Sequence, residues 1–397
     1  MNENERFSIN IDGKNYSPGN PLIIAELGTS HNGDLIKAKE MISAAAEAGA
    51  GCVKFQMVFA DEILHPNTGE VPLPGGMIRL YDQFKSLEMP LEFYEEIKKY
   101  TENKGVLFLC TPFGLKSASI LRSLQPKMVK IASPELNFTS LLEDIAAWEV
   151  PVLLSTGVSR LADIENAINI FREEITPRRK DAKVTKEIKQ LKGSCGSWLN
   201  NVCLLHCVTS YPAPEIDYNL RVLPNLAAIF GVSVGVSDHS LDPELVPSLA
   251  ISMGACVIEK HFCLSRNDPG LDDPIALEPG DFLKLTKAIR QAARINSDEI
   301  IAHYSNERGK DLIQRILGNG VKKLAPSEET NYRLTNRSIH ALRDIQKGEK
   351  ITKQDYAVLR TEKILRPGLE PVWEKEIEGR TAKNFIPSGE GIRFEDI

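Results

Sequence analysis

Eight short apolar runs constrain this chain most, because each ends in polar side chains and helical periodicity fills the intervals between them. They lie at residues 22–28, 52–56, 106–112, 128–135, 151–157, 202–210, 233–239 and 257–264. Near-continuous Val, Ile and Leu reads as strand buried on both faces, the habit of parallel sheets. Helical patterns such as 35–48, 91–103, 162–175 and 244–254 lie between them. Eight such β-then-α units over about 250 residues predict a (β/α)8 TIM barrel. A doubly wound open sheet is the rival, weakened because no GxGxxG follows the first run.

Residues 1–20 predict an N-terminal hairpin turning at Asp12-Gly13, and 21–296 the barrel. Residues 297–334 read as a connector, broken at Gly318-Asn319-Gly320 and Pro326. From 335 to 397 the runs shorten into a small β-rich module, too small for a large core of its own and expected to rest on something larger. Within it, DIQKGEKITKQDY and FIPSGEGIRFEDI look alike. Residues 60–88 form a long excursion on the catalytic rim, read equally as a lid or as a surface detour. The basic, then Gly/Ser-rich stretch 176–200 reads as a solvated insertion.

A net charge of −6 argues against a broad nucleic-acid footprint. No apolar run reaches membrane-spanning length, and the opening residues lack a signal-peptide pattern. With seven scattered cysteines, a reduced cytoplasmic setting is expected. Cys203 and Cys207 share one strand face and read as core.

In such a barrel, polar groups at the C-terminal strand ends face the catalytic rim. Here they include Glu26; Lys54 and Gln56; Thr111; Lys130, Ser133 and Glu135; Ser155; His206, Thr209 and Tyr211; Ser237 and His239; and Glu259 and His261. Lys54/Gln56, Ser133/Glu135, Ser237/His239 and Glu259/His261 are spaced by two, so each pair faces one side. One strand histidine is most often a satisfied core group; polar ends on all eight strands point to chemistry. Lys54 and Lys130, with Lys260 as a third candidate, and the hydroxyls of Thr111, Ser133, Ser155 and Ser237 suit a small phosphorylated, carboxylated anion. His239, His261 and nearby Glu26 suit a divalent ion such as Mn²⁺. Glu26 and Glu135 offer acid/base capacity.

Ile24-Ala25-Glu26, His31-Asn32-Gly33, Val53-Lys54-Phe55-Gln56, Lys130-Ile131-Ala132-Ser133, Ser237-Asp238-His239 and Glu259-Lys260-His261-Phe262 together resemble the sialic acid (N-acetylneuraminate) synthase family. The tail resembles that family's antifreeze-like (SAF) domain, and the likeness runs along nearly the whole chain. The resemblance implies condensation of phosphoenolpyruvate with an open-chain N-acyl hexosamine to a nine-carbon keto acid, releasing phosphate. It implies His239 and His261 as ligands of Mn²⁺, with Mg²⁺ or Co²⁺ as substitutes. Lys54, Thr111, Lys130, Ser133, Ser155, Thr209 and Ser237 would hold phosphoenolpyruvate. Glu26, Gln56 and Glu135 would be catalytic, with Gln56 and Glu135 meeting sugar hydroxyls. Tyr211, Asp272 and Arg366 would hold the sugar, Arg366 reaching in from the partner subunit of a domain-swapped homodimer, with Arg360 its rival. Gly270-Leu271-Asp272-Asp273 departs from the family's Gly-Pro-Asp-His, which bears on the sugar. The segments 264–268 and 211–214 lean towards the pseudaminic branch, beside legionaminic and neuraminic alternatives. A Schiff-base aldolase using Lys130 or Lys54, and a non-catalytic sugar- or ice-binding barrel, are the competing readings.

Overall fold

The computed structural model describes residues 8–73, 76–180 and 201–397. The expected insertion at 176–200 lies almost wholly outside them. Eight parallel strands, β1 (Leu22–Gly28), β2 (Cys52–Met57), β3 (Leu107–Pro112), β4 (Val129–Ile131), β5 (Val152–Ser155), β6 (Val202–Cys207), β7 (Ser233–Asp238) and β8 (Val257–His261), form one sheet in the order β3-β2-β1-β8-β7-β6-β5-β4. The edge strands β3 and β4 lie side by side, so the ring is nearly closed. All eight runs expected as strands are strands.

Alternation along each strand sorts the side chains into two cores. Outward residues such as Ile23, Val53, Phe55 and Ile258 pack under the helices. Inward residues Leu22, Ile24, Cys52, Leu109, Leu153, Cys203, Leu205 and Val257 fill the lower barrel. The hairpin Ile9–Ile11/Lys14–Tyr16 turns at Asp12 and Gly13, both at positive φ, and plugs that lower end with Ile9, Ile11 and Tyr16. Gly235 is required where β7 meets β8: a Cβ there would fall 2.3 Å from the Val257 carbonyl oxygen.

Helix starts follow local chemistry. Leu35–Glu47 begins where Asp34 accepts from the Ile36 and Lys37 amides, and it buries Ala38, Met41, Ile42 and Ala45 at helical spacing. The expected connector instead begins with two helices, Ser297–Arg308 and Lys310–Leu317. An Asn296/Glu299 capping box starts the first, a signal present in the sequence. Tyr304 reaches Ser248 of the barrel's Leu245–Ser252 helix, so the connecting segment proper starts at Gly318.

In the small domain, β9 (Arg337–Ala341) pairs antiparallel with β10 (Tyr356–Arg360). The two similar segments meet as Ile345 and Ile386 exchange backbone hydrogen bonds, each followed by a turn glycine at positive φ, Gly348 and Gly389. Ile339, Ile345, Ile351 and Ile386 join the same core cluster as the barrel's outer layer, so the small core is completed by the large one. The 60–88 excursion is its seat: Leu64 bridges to Arg360, and Asn67 donates to the Ser388 carbonyl at 3.1 Å.

Candidate active site

Above the apolar layer the barrel interior turns ionic. Lys54 Nζ lies 2.7 Å from Glu26 and 3.8 Å from Glu259, and Lys130 Nζ lies 3.8 Å from the same Glu259 oxygen. All four side chains are buried. Withdrawing such charges from water costs several kcal/mol per ion unless partners replace it; here each cation faces a carboxylate. Ser237 donates to Glu259 at 2.8 Å, Lys130 to Ser155 at 2.6 Å, and Gln56 to Glu26 at 2.7 Å.

Burial and like charge set the proton affinities. Burial raises the Glu26 pKa, with Lys54 pulling the other way and Glu259 adding to the rise. Burial also opposes ionisation of Glu259, but Lys130 and Lys54 win and hold it at about 2. Burial lowers Lys130. The two lysines thus favour the ionised form of Glu259, whereas burial favours the protonated form of Glu26.

His239 is the first residue after β7 and His261 the last of β8, their rings 5.5 Å apart. His239 Nδ1 lies 2.8 Å from the Val208 carbonyl, and Nε2 lies 3.5 Å from Ser237 Oγ. Burial holds His261 near pKa 4, hence neutral, as a ligand must be. Burial works against a charged His239 as well, but the neighbouring Cys207 outweighs it and raises that pKa; among the described residues no set of three His, Cys, Asp or Glu could enclose a metal ion. The Tyr211 ring stacks on His239 at 4.3 Å, and Asp272 lies 3.5 Å from His261 Nδ1.

Thr111 Oγ1 is buried and has no protein partner, as does Glu259 Oε2. Ser133 Oγ accepts from the Gly157 amide at 3.0 Å. A Cβ on Gly157 would fall 2.2 Å from Thr209 Oγ1 and 2.9 Å from Ser133 Oγ, so glycine keeps this hydroxyl-lined corner open. Cys207 Sγ borders the same corner, 4.0 Å from His239 Nδ1. It is a wall of the site rather than plain core, whereas Cys203 lies in the lower core as expected.

Glu135 is fully buried, and its Oε1 accepts from Arg337 Nε at 2.9 Å and from Arg360 Nε and Nη2 at 3.0 and 2.6 Å. Arg366 pairs with Asp396 at 2.7 Å inside the small domain, while its rival Arg360 lies against Glu135 of the same chain's barrel. Two expectations need correction here. Lys260 points outward and is bound by Asp238 at 2.5 Å and the Ser240 carbonyl, because its strand parity is opposite to Glu259 and His261. His206 likewise faces outward, onto the Tyr218 carbonyl at 2.5 Å. Arg337 and Glu328 escaped the sequence reading. Arg337 is a lone charge at the start of a strand, and Glu328 sits in an ordinary Pro-Ser-Glu-Glu turn.

Fold and site together define a (β/α)8 barrel whose catalytic rim carries a buried lysine–carboxylate layer, covered by a small β-rich domain. The chain belongs to the NeuB family: that family's model matches residues 41–300, and the SAF domain model matches 336–397. It is 32% identical over 376 residues to the N,N'-diacetyllegionaminic acid synthase of Campylobacter jejuni, covering 94% of this chain and 98% of that one. It is 30% identical to the pseudaminic acid synthase of the same species, covering 95% and 96%. The crystal structure of the spore coat polysaccharide biosynthesis protein spsE from Bacillus subtilis matches with a TM-score of 0.77 at 32% identity, covering 98% of this chain and 99% of that one.

Proposed function

We propose that this chain condenses phosphoenolpyruvate with an N-acyl hexosamine, N-acetylmannosamine or a 2,4-diacetamido-6-deoxy hexose, to a nine-carbon acid and phosphate. The observation that carries this reading is the buried Lys54/Lys130 pair beside an unpartnered Thr111 hydroxyl and the Ser133–Gly157–Thr209 corner.

Lys54, Lys130, Ser155 and Ser237 would hold the carboxylate and phosphate oxygens, and Lys130 and the hydroxyls stand ready as charge develops on them. C3 of phosphoenolpyruvate attacks the sugar aldehyde, water adds at C2, and the tetrahedral carbon expels phosphate. Glu26 would move the proton between that water and the new alkoxide, with Gln56 fixing its orientation. His239 and His261 would hold a divalent ion, Mn²⁺ first and Mg²⁺ or Co²⁺ next. When bound, it supplies Lewis-acid polarisation of the aldehyde oxygen. Arg360, Glu135, Tyr211 and Asp272 would hold the sugar. Asp273, fully buried and accepting from the Gly270 amide at 2.8 Å, replaces the family's rim histidine with a structural carboxylate.

The protein would act as a cytoplasmic homodimer with exchanged small domains. In the single chain the domain rests on its own barrel, and swapping reuses the same contact surface between subunits. The lowered Lys130 pKa also favours a second reading, a Schiff-base aldolase. Mass identification of the product tests the choice. The expected product is an acid of the sugar's mass plus pyruvate, with no borohydride-trapped adduct on Lys130; a trapped adduct on metal-stripped, active protein supports the aldolase instead.

A further inference from the structure

The segment between barrel and small domain does more than connect them. Glu328 is buried, and its Oε2 accepts from the Val158 amide at 3.0 Å and the Thr209 amide at 2.9 Å, while Oε1 accepts from its own turn at Ala325. Asn336 donates to the Val158 carbonyl at 3.2 Å, and Asn331 to the Thr209 carbonyl at 2.9 Å. Lys322 donates to the Thr156 carbonyl at 2.9 Å. Both backbone groups of one residue in each of two rim loops are therefore taken by side chains from the connecting segment and, at Asn336, from the first residue of the small domain's match.

Val158 shows what this grip holds. Its φ is +41°, a left-handed conformation that a β-branched residue avoids and keeps only when its surroundings enforce it. It follows Gly157, whose amide donates to Ser133 Oγ, and Gly157 packs within 2.2 Å (to an added Cβ) of Thr209 Oγ1. The two gripped loops are thus the two walls of one hydroxyl-lined corner.

We propose that Glu328, with Asn331 and Asn336, is a positioning residue that clamps the loops after β5 and β6 into the shape that receives the phosphate of phosphoenolpyruvate. The segment leading to the small domain then governs the anion end of the site, whereas the domain's arginines face the sugar end. The inference rests on the proposed synthase reading for its ligand, but not for its geometry.

The test compares full-length Glu328→Ala, Glu328→Gln and Asn336→Ala by phosphate release and by amide hydrogen exchange. Glu328→Ala is expected to raise KM for phosphoenolpyruvate about tenfold or more while leaving the sugar KM within about twofold. Glu328→Gln keeps an acceptor oxygen and should recover most of that loss. Val158 and Thr209 amides should exchange slowly in the parent and fast in Glu328→Ala. Unchanged exchange at both amides overturns the clamp whatever the enzyme does. Faster exchange with an unchanged phosphoenolpyruvate KM, or equal rises in both KM values, overturns its role at the anion end. Should Glu328→Ala fail to fold, Asn336→Ala carries the same two readouts at Val158. A parent that shows the protected amides but releases no phosphate with any sugar refutes the synthase reading and leaves the clamp standing.

Discussion

Arg360, at the end of a small-domain strand, donates through Nε and Nη2 to a single oxygen of Glu135, which has no access to water in the barrel. Arg337 donates to that same oxygen, so Glu135 Oε2 is left buried and without a partner. Two guanidiniums converging on one oxygen fix the carboxylate's orientation and leave the other oxygen without a donor.

Replacing Arg360 by alanine should therefore raise the sugar KM by about tenfold or more, the scale of a lost charged hydrogen bond, with little change for phosphoenolpyruvate. Arg366→Ala should leave both KM values near the parent and lower thermal stability through loss of the Asp396 pair. The reverse pattern, measured by initial rates at saturating co-substrate, contradicts this placement.

His239→Ala and His261→Ala should each abolish metal-dependent turnover while far-ultraviolet dichroism stays native. Loss of tight Mn²⁺ binding, read by calorimetry or paramagnetic resonance on the resting protein, should accompany it. Full activity in either variant refutes the ligand pair.

The pattern of the barrel was legible because parallel strands buried on both faces leave continuous apolar runs, and period two then says which polar ends share a side. That reasoning brought Glu26, Lys54, Gln56, Lys130, Ser155, Ser237, Glu259 and His261 together. Parity also excludes Lys260 and His206, which a stricter count along their strands would have turned outward. Contacts across the two domains were not legible. Arg337 to Glu135, and Glu328 to Val158 and Thr209, join residues far apart in the chain, and no local pattern encodes such pairs. The contacts of Arg360 with Glu135 and of Arg366 with Asp396 are of the same kind.

Acid should destabilise the fold in a defined window. Burial holds His31 near pKa 4, His206 near 3 and His340 near 4, against an ordinary 6.5. The unfolded chain takes up protons below pH 6.5 that the folded chain refuses. Their contribution is thus complete above 6.5 and is lost as pH falls towards 4, at up to about 1.4 kcal/mol per site per pH unit. Urea midpoints should fall between pH 7 and 4.5, and a midpoint constant across that range contradicts the three buried neutral imidazoles.

Mixed dimers test domain exchange. Co-expressed Glu135→Ala and Arg360→Ala chains rebuild one intact site per heterodimer if small domains are exchanged, and none if each domain serves its own barrel. The proposed exchange predicts recovered activity, to about half of the parental level in purified heterodimers. Activity no higher than that of the two separate variants contradicts it.

Phosphate release from phosphoenolpyruvate, with Mn²⁺ or with EDTA, across N-acetylmannosamine and the 2,4-diacetamido-6-deoxy hexoses of the legionaminic and pseudaminic routes, tests the synthase reading most directly. Release that requires one of these sugars, rises with Mn²⁺ and vanishes in EDTA is the predicted result; no release with any sugar and metal would contradict the account.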